Sequence, residues 1–413
     1  MVREDPNTDR QHCRRSFLFL QTIASPFFLR LGQRLADNGC AVSKINFNGG
    51  DHFFWNGFHE INFTDKPAQF QGFLEQTLDQ KQVTDIVLFG DCRPWHQKAI
   101  SLAKSKGISI WVFEEGYIRP HWITLEQGGV NGHSSFPKQA DIIHALADKA
   151  VLEAPEPVGG GLWQRIFYDF VYNFMNLLMI WKFPHHRTHR PYTVWAEYAT
   201  WTKRLVTLSW LKPRAEKAVR EIADMAAPCY LFPLQLDSDS QVRVHSPYGT
   251  MPDAIRTVLK TFASEAPKDA VLIIKNHPLD NGMINYGKLI RAFAAEQAIK
   301  DRVRFIDGGD LNALLAHCRG VITINSTVGM TALDKKVPVL LLGDAIYNIP
   351  GLVYRSGQTE FWTDPKSPDL SLLDALRTSL LGYCHANGNF YTRTGMELAV
   401  THSLPRLTQP TGL

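Results

Sequence analysis

The sequence predicts an α/β protein of two Rossmann-like domains facing a cleft, with a helical, aromatic-rich insertion between them. Three observations carry this reading. Short runs rich in Ile, Val and Phe alternate with longer amphipathic stretches, in two separate sets. Pro26, Pro67 and Pro94 each open a helical stretch, where a missing N–H leaves no bond unmade. The 413 residues suffice for two or three domains, and 45% hydrophobic content is ample for their cores.

In the first set, strands are expected over residues 16–20, 41–47, 84–89 and 108–113, and helices over 26–38, 67–80 and 94–106. That order, βαβαβαβ, requires a parallel sheet with helices on both faces. Residues 14–20, RRSFLFL, resemble a twin-arginine export signal. Their apolar run is short and no A-x-A site follows, so they are read as the first strand. In the second set, strands are expected over 229–234, 270–275, 303–306, 321–324 and 338–342, and helices over 251–265, 282–298, 310–317 and 326–334. The expected divisions are 1–150 (N-terminal domain), 151–225 (helical linker), 226–365 (C-terminal domain) and 366–413 (helical tail).

The linker has its own composition. Pro155, Pro157 and Gly159-Gly160-Gly161 form a loop or hinge. Residues 162–181, LWQRIFYDFVYNFMNLLMIW, are nearly all apolar or aromatic, and Lys182, His185, His186, Arg187, His189 and Arg190 follow. Two readings compete. One is an interfacial helix, its aromatics in lipid and its cations on anionic headgroups. The other is a buried helix bridging the domains, favoured because aromatic stripes at helical spacing usually pack in cores. No stretch is long enough to span a bilayer. Lys and Arg exceed Asp and Glu by 44 to 40. That surplus is too small to argue for nucleic acid and suits an anionic ligand or membrane surface. The six cysteines form no CxxC pair, which disfavours a zinc ribbon or redox site and suits a reducing cytoplasm.

Four expected strand exits carry polar clusters. The first strand set ends in Glu114-Glu115-Gly116, where a carboxylate can serve as general acid or base. Strand 229–234 leads into Gln235 and then Asp237-Ser238-Asp239. This is a DxD cation site, a carboxylate nucleophile, or an Asx-rich turn. Strand 270–275 ends in Lys275-Asn276-His277-Pro278, where the His can bond a phosphate oxygen or protonate a leaving group. Strand 321–324 enters Asn325-Ser326-Thr327 and a helix N-terminus, an anion pocket or a plain cap. The phosphate-binding features fall in the second half, so a nucleotide donor is assigned there. Arg93, Arg119 and His121 near the first-half strand exits suit a phosphate or a carboxylate.

These motifs are similar to those of the capsule polysaccharide β-Kdo transferase family, itself related to bacterial CMP-sugar sialyltransferases of the two-Rossmann-domain GT-B type. The matching stretches are residues 26–28 (PFF), 46–51 (NFNGGD), 90–94 (GDCRP), 113–126 (FEEGYIRPHWITLE), 233–241 (PLQLDSDSQ), 276–278 (NHP) and 325–329 (NSTVG). The resemblance implies retaining transfer of Kdo from CMP-β-Kdo to lysophosphatidylglycerol, starting the β-Kdo linker of a capsule. It implies Asp239 as nucleophile (Asp237 the fallback), Glu114 and Glu115 at the acid/base position, and His277 on the CMP phosphate. Lys275, Asn276, Pro278, Asn325, Ser326, Thr327 and Gln235 complete the donor site, and Asp51, Asp91, Arg93 and Arg119 are assigned to the acceptor. Residues 21–25, QTIAS, lack the Gly-Pro expected after the Gln. A single phosphate can be neutralised by a His, a Lys and a helix N-terminus, so no metal or other cofactor is expected. The implied setting is the cytoplasmic face of the inner membrane, with an anionic lipid surface, an elongating β-Kdo transferase and the export machinery as partners, and no nucleic acid. Two other functions fit the same motifs: an inverting CMP-sugar transferase, and a non-catalytic glycolipid-binding scaffold for capsule assembly.

Overall fold

A computed structural model describes residues 15–186, 194–237 and 239–409. Their strands are β1 (Ser16–Phe19), β2 (Ala41–Asn46), β3 (Glu60–Asn62), β4 (Asp85–Phe89), β5 (Ser109–Glu115), β6 (Trp122–Gln127), β7 (Cys229–Pro233), β8 (Val271–Lys275), β9 (Val303–Ile306), β10 (Cys318–Thr323), β11 (Val339–Leu341), β12 (Tyr354–Arg355) and β13 (His385–Asn387). The helices are α1 (Phe27–Asp37), α2 (Gly49–Trp55), α3 (Phe70–Gln80), α4 (Pro94–Ser105), α5 (Ala140–Lys149), α6 (Leu162–Leu178), α7 (Val194–Ala223), α8 (Ser240–Arg243), α9 (Met251–Glu265), α10 (Tyr286–Glu296), α11 (Leu311–Leu315), α12 (Thr327–Asp334), α13 (Glu360–Thr363), α14 (Leu370–Tyr383) and α15 (Arg393–Thr408).

The chain divides into two compact units: residues 1–135, 151–189 and 380–413, and residues 136–150 and 190–379. The first holds a seven-stranded sheet in the order β13-β6-β5-β4-β1-β2-β3. Pairing is parallel from β3 to β5; β6 and β13 add antiparallel. Alternation along β1 explains the core. Phe17 and Phe19 face one side with Phe27 and Phe28 of α1, and Leu18 and Leu20 face the other with Phe70 and Leu74 of α3. Much of the aromatic content is spent here. Phe28, Phe113 and Phe390 all meet Phe27 edge to face, while Phe47 stacks on Trp95 across the sheet from them. The second unit holds six parallel strands in the order β12-β11-β10-β7-β8-β9, the doubly wound arrangement that alternating strands and helices demand.

The linker and tail depart from expectation. The segment 151–225 is not one linker: α6 belongs to the first unit and α7 to the second. Nor is α6 a buried bridge. It docks one face on α2 and leaves its other aromatic face exposed. The docking needs Gly49 and Gly50, since a Cβ on either would overlap the α6 backbone at Met175 or the Tyr172 ring. Tyr172 then bonds Asn48 (2.8 Å), and the Asn176 side chain accepts the Gly50 N–H (2.7 Å). The expected separate tail is also corrected. After α14, β13 pairs with β6, and α15 buries Met396, Ala399, Val400 and Leu407 in the core beside α1. Cys92, Cys229, Cys318 and Cys384 are free thiols, whereas Cys40 is disulfide-bonded, which departs from the reading of single, unpaired thiols. Among the described residues no helix is long and apolar enough to cross a membrane.

Candidate functional site

In the second unit the parallel strands deliver polar side chains beyond their carboxyl ends, where such sheets bind ligands. Gln235 follows β7 and is buried against Asn325, which follows β10. It donates to Asn325 Oδ1 (3.0 Å) and accepts the Asn325 N–H (3.3 Å), tying neighbouring strand exits together. Asp237 is spent on structure: Oδ1 accepts the Met251 N–H at the start of α9 (2.8 Å) and Oδ2 pairs with Arg243 (3.2 Å). Asp239 is half-buried, and its backbone carbonyl opens α8 by accepting the N–H groups of Val242 (3.1 Å) and Arg243 (3.3 Å).

Lys275 ends β8 in a buried position, and burial lowers its pKa against the pull of Asp307 and Asp310. Asn276 is a hub. Its Nδ2 donates to Asp280 and to Asp307 (both 3.1 Å), and its Oδ1 accepts the His277 N–H (2.9 Å). Asp307, just past β9, receives both guanidinium nitrogens of Arg204 from α7, at 2.9 and 2.7 Å. Burial opposes ionisation of Asp307, but the Arg204 bonds outweigh it and hold the carboxyl below its ordinary pKa. Sequence reasoning missed both residues. A signal for Asp307 existed, an acidic residue at a strand exit before Gly308-Gly309; Arg204, mid-helix and about a hundred positions away, offered none. Gly309 has φ +80°, and a Cβ there would lie 2.7 Å from Val219, so the glycine lets α7 come close enough for Arg204 to reach.

His277 is half-buried, and its Nδ1 accepts the Leu279 N–H (3.0 Å), which places the ring proton on Nε2. Burial, then Lys275, pushes its pKa down to about 4. At neutral pH it is a neutral donor, able to bond an anion but with no extra proton for a leaving group. Pro278 beside it is exposed. Ser326 caps α12, its hydroxyl accepting the Val328 N–H (3.2 Å), while its carbonyl accepts the Tyr347 hydroxyl (2.5 Å). Thr327 opens that helix and is half-buried.

In the first unit β5 runs through Glu114 and Glu115, so both carboxylates sit on the strand and face opposite sides of the sheet. Glu115 accepts the Tyr391 hydroxyl (3.1 Å) and lies 3.5 Å from Arg165 of α6. Glu114 accepts the Glu115 N–H (3.0 Å) and lies beside Gly90 at the exit of β4. Each of the expected acceptor residues has partners within the fold. Asp51 is fully buried, bonded to the Phe47 N–H (3.3 Å) and the Tyr172 hydroxyl (3.2 Å). Asp91 is buried and holds the loop after β6 through the Val130 N–H (3.1 Å) and His133 (3.0 Å). Half-buried Arg93 donates to the carbonyls of Gln21 (2.9 Å) and Thr22 (3.2 Å), and exposed Arg119 donates to the Gly116 carbonyl (3.3 Å). His121, half-buried, gives its carbonyl to Asn387 (2.8 Å).

Three histidines make a pH prediction. Burial lowers the pKa of His96 to about 3, and of His277 and His385 to about 4, all below the unfolded value of 6.5. As pH falls below 6.5 the unfolded chain takes up protons that the folded chain does not, so stability is lost progressively down to about 4. The urea midpoint is expected to drop between pH 7.5 and pH 5. An unchanged midpoint contradicts neutral, buried histidines.

Two doubly wound α/β units, the second with hydrogen-bond donors gathered at its strand exits, place the protein in the class of two-domain Rossmann-like proteins. Residues 84–391 match the family described as capsule polysaccharide biosynthesis protein. The chain is 36% identical over 388 residues to the capsule polysaccharide modification protein LipB of Neisseria meningitidis serogroup A, covering 92% of each chain. It is 34% identical over 378 residues to the capsule polysaccharide export protein KpsS of Escherichia coli, covering 91% of this chain and 97% of that one. The chain belongs to the capsule polysaccharide biosynthesis family. Among solved structures, Thermosulfurimonas dismutans KpsC, a beta Kdo 2,7 transferase, aligns over 94% of this chain and 98% of its own with a TM-score of 0.47 and 13% identity.

Proposed function

We propose that the protein is a retaining glycosyltransferase that moves Kdo from CMP-β-Kdo to a lysophosphatidylglycerol acceptor and so starts the β-Kdo linker of a capsular polysaccharide. The observation that carries this is the set of groups at the β7, β8 and β10 exits. Buried Lys275, the Nε2–H of His277 and the N-terminus of α12 are the donors that a single phosphodiester needs. Both Asp237 oxygens are tied into the fold, which counts against the fallback carboxylate as the nucleophile and against a cation held by the DxD pair.

In the first step an Asp239 carboxylate oxygen attacks the anomeric carbon of Kdo. The bond from that carbon to the phosphate oxygen breaks, and CMP leaves with the electron pair. His277 holds the departing phosphate by hydrogen bonding; a phosphate monoester is stable without an added proton. In the second step the acceptor hydroxyl gives its proton to a general base, and its oxygen attacks the same carbon and displaces Asp239. Two inversions give net retention.

The test is incubation of the purified protein with CMP-β-Kdo and lysophosphatidylglycerol, followed by mass spectrometry of the lipid. A Kdo-bearing lipid with stoichiometric CMP release is expected. Tight glycolipid binding without turnover would support the scaffold reading instead.

A further inference from the structure

We infer that the exposed face of α6 is a membrane-docking surface, and that its partner is the interfacial zone of a bilayer carrying anionic headgroups. Trp163, Phe167, Phe170, Phe174 and Leu177 follow the three- and four-residue spacing of one face of α6, and Trp181 stands in the turn just past its end. Trp163 and Trp181 are 78% and 77% exposed, and the three phenylalanines are between 53% and 60% exposed. A stripe of this size on a protein surface marks an interaction site.

Three observations select a bilayer. The opposite face is fixed to the first unit through Tyr172 and Asn176, so the helix lies on a surface and cannot turn to span it. Trp stands at both ends of the stripe, and Trp is the residue favoured at the lipid–water boundary. Residues 162–190 carry four Lys or Arg against a single Asp, with three His besides, while the whole chain has a surplus of only four. Arg165 is turned toward Glu115 and the Tyr391 ring of the first unit, and His185 just past the stripe is exposed; Arg187, His189 and Arg190 lie outside the described residues. A second copy of the chain would meet this cationic segment with like charge.

The inference gives the lipid acceptor of the proposed reaction a place to be captured, but its test needs no turnover, so either can fail alone. Wild-type protein is expected to float with phosphatidylcholine vesicles containing phosphatidylglycerol, less so with phosphatidylcholine alone, and less in high salt. The triple variant Phe167→Ser, Phe170→Ser, Phe174→Ser is expected to lose at least about tenfold in partitioning. Its thermal midpoint and circular dichroism should match the wild type. A second variant, Trp163→Ser with Trp181→Ser, covers the case in which the triple variant unfolds; it should lose partitioning while remaining folded. Wild-type protein that stays in solution with anionic vesicles overturns the inference, as does a dimer in solution that the triple variant dissociates.

Discussion

Asp239→Ala is expected to abolish Kdo transfer, by on the order of 10³-fold or more, while leaving CMP affinity within a few-fold of wild type. The reason is geometric. Its neighbour Asp237 cannot substitute without giving up the α9 N-terminus and Arg243. The donors assigned to the phosphate sit on other strands and on α12, so they survive the change. Asp237→Ala should behave differently, since its loss removes bonds of the fold: a lower thermal midpoint, with residual transfer at permissive temperature. Initial rates and calorimetric CMP titration of both variants check this. Loss of CMP binding in Asp239→Ala, together with a requirement for Mg²⁺, would favour a cation site on the DxD pair.

Asp307→Ala is expected to cost about 3 kcal/mol of stability, because it removes the carboxylate that takes two hydrogen bonds from the mostly buried Arg204 guanidinium. That is a large part of the roughly 5–15 kcal/mol a domain has in total. The same change removes one of the two carboxylates that hold Asn276, and Asn276 orients the His277 backbone. CMP binding should therefore weaken by about tenfold, near the worth of one charge-assisted hydrogen bond. Asp307→Leu combined with Arg204→Met should recover much of the stability, since no charge is left stranded, but not the CMP affinity. Urea denaturation and CMP titration separate the two effects. If the double variant regains CMP affinity, Asp307 acts only on the fold.

Local chemistry made much of this legible in the sequence. The parallel strands of the second unit are continuous apolar runs, and their exits carry Gln235, Lys275, His277 and Ser326 where strand exits are expected to carry ligand-binding groups. What stayed hidden depends on partners distant in sequence. Glu114 and Glu115 read as a loop because charged residues end an apolar run, yet β6 pairs with them as an antiparallel neighbour, which a βαβ pattern does not anticipate. The stretch around Gly116 and Tyr117 is a hairpin: a Cβ at Gly116 would overlap the Trp122 carbonyl, and the Tyr117 hydroxyl bonds Glu126 (2.6 Å). Asp51 reads as a site residue within NFNGGD, but there the glycines and Asp51 serve the docking of α6. The spacing of α6 shows an apolar stripe plainly; whether protein or solvent faces that stripe is decided by tertiary packing alone.

The most direct test of double displacement through Asp239 is the anomeric configuration of the first Kdo joined to the lipid, determined by NMR on the product of the wild-type enzyme. Retention, a β-linked Kdo from CMP-β-Kdo, is the predicted result. An α-linked product would mean a single inversion and would contradict the nucleophile assigned to Asp239.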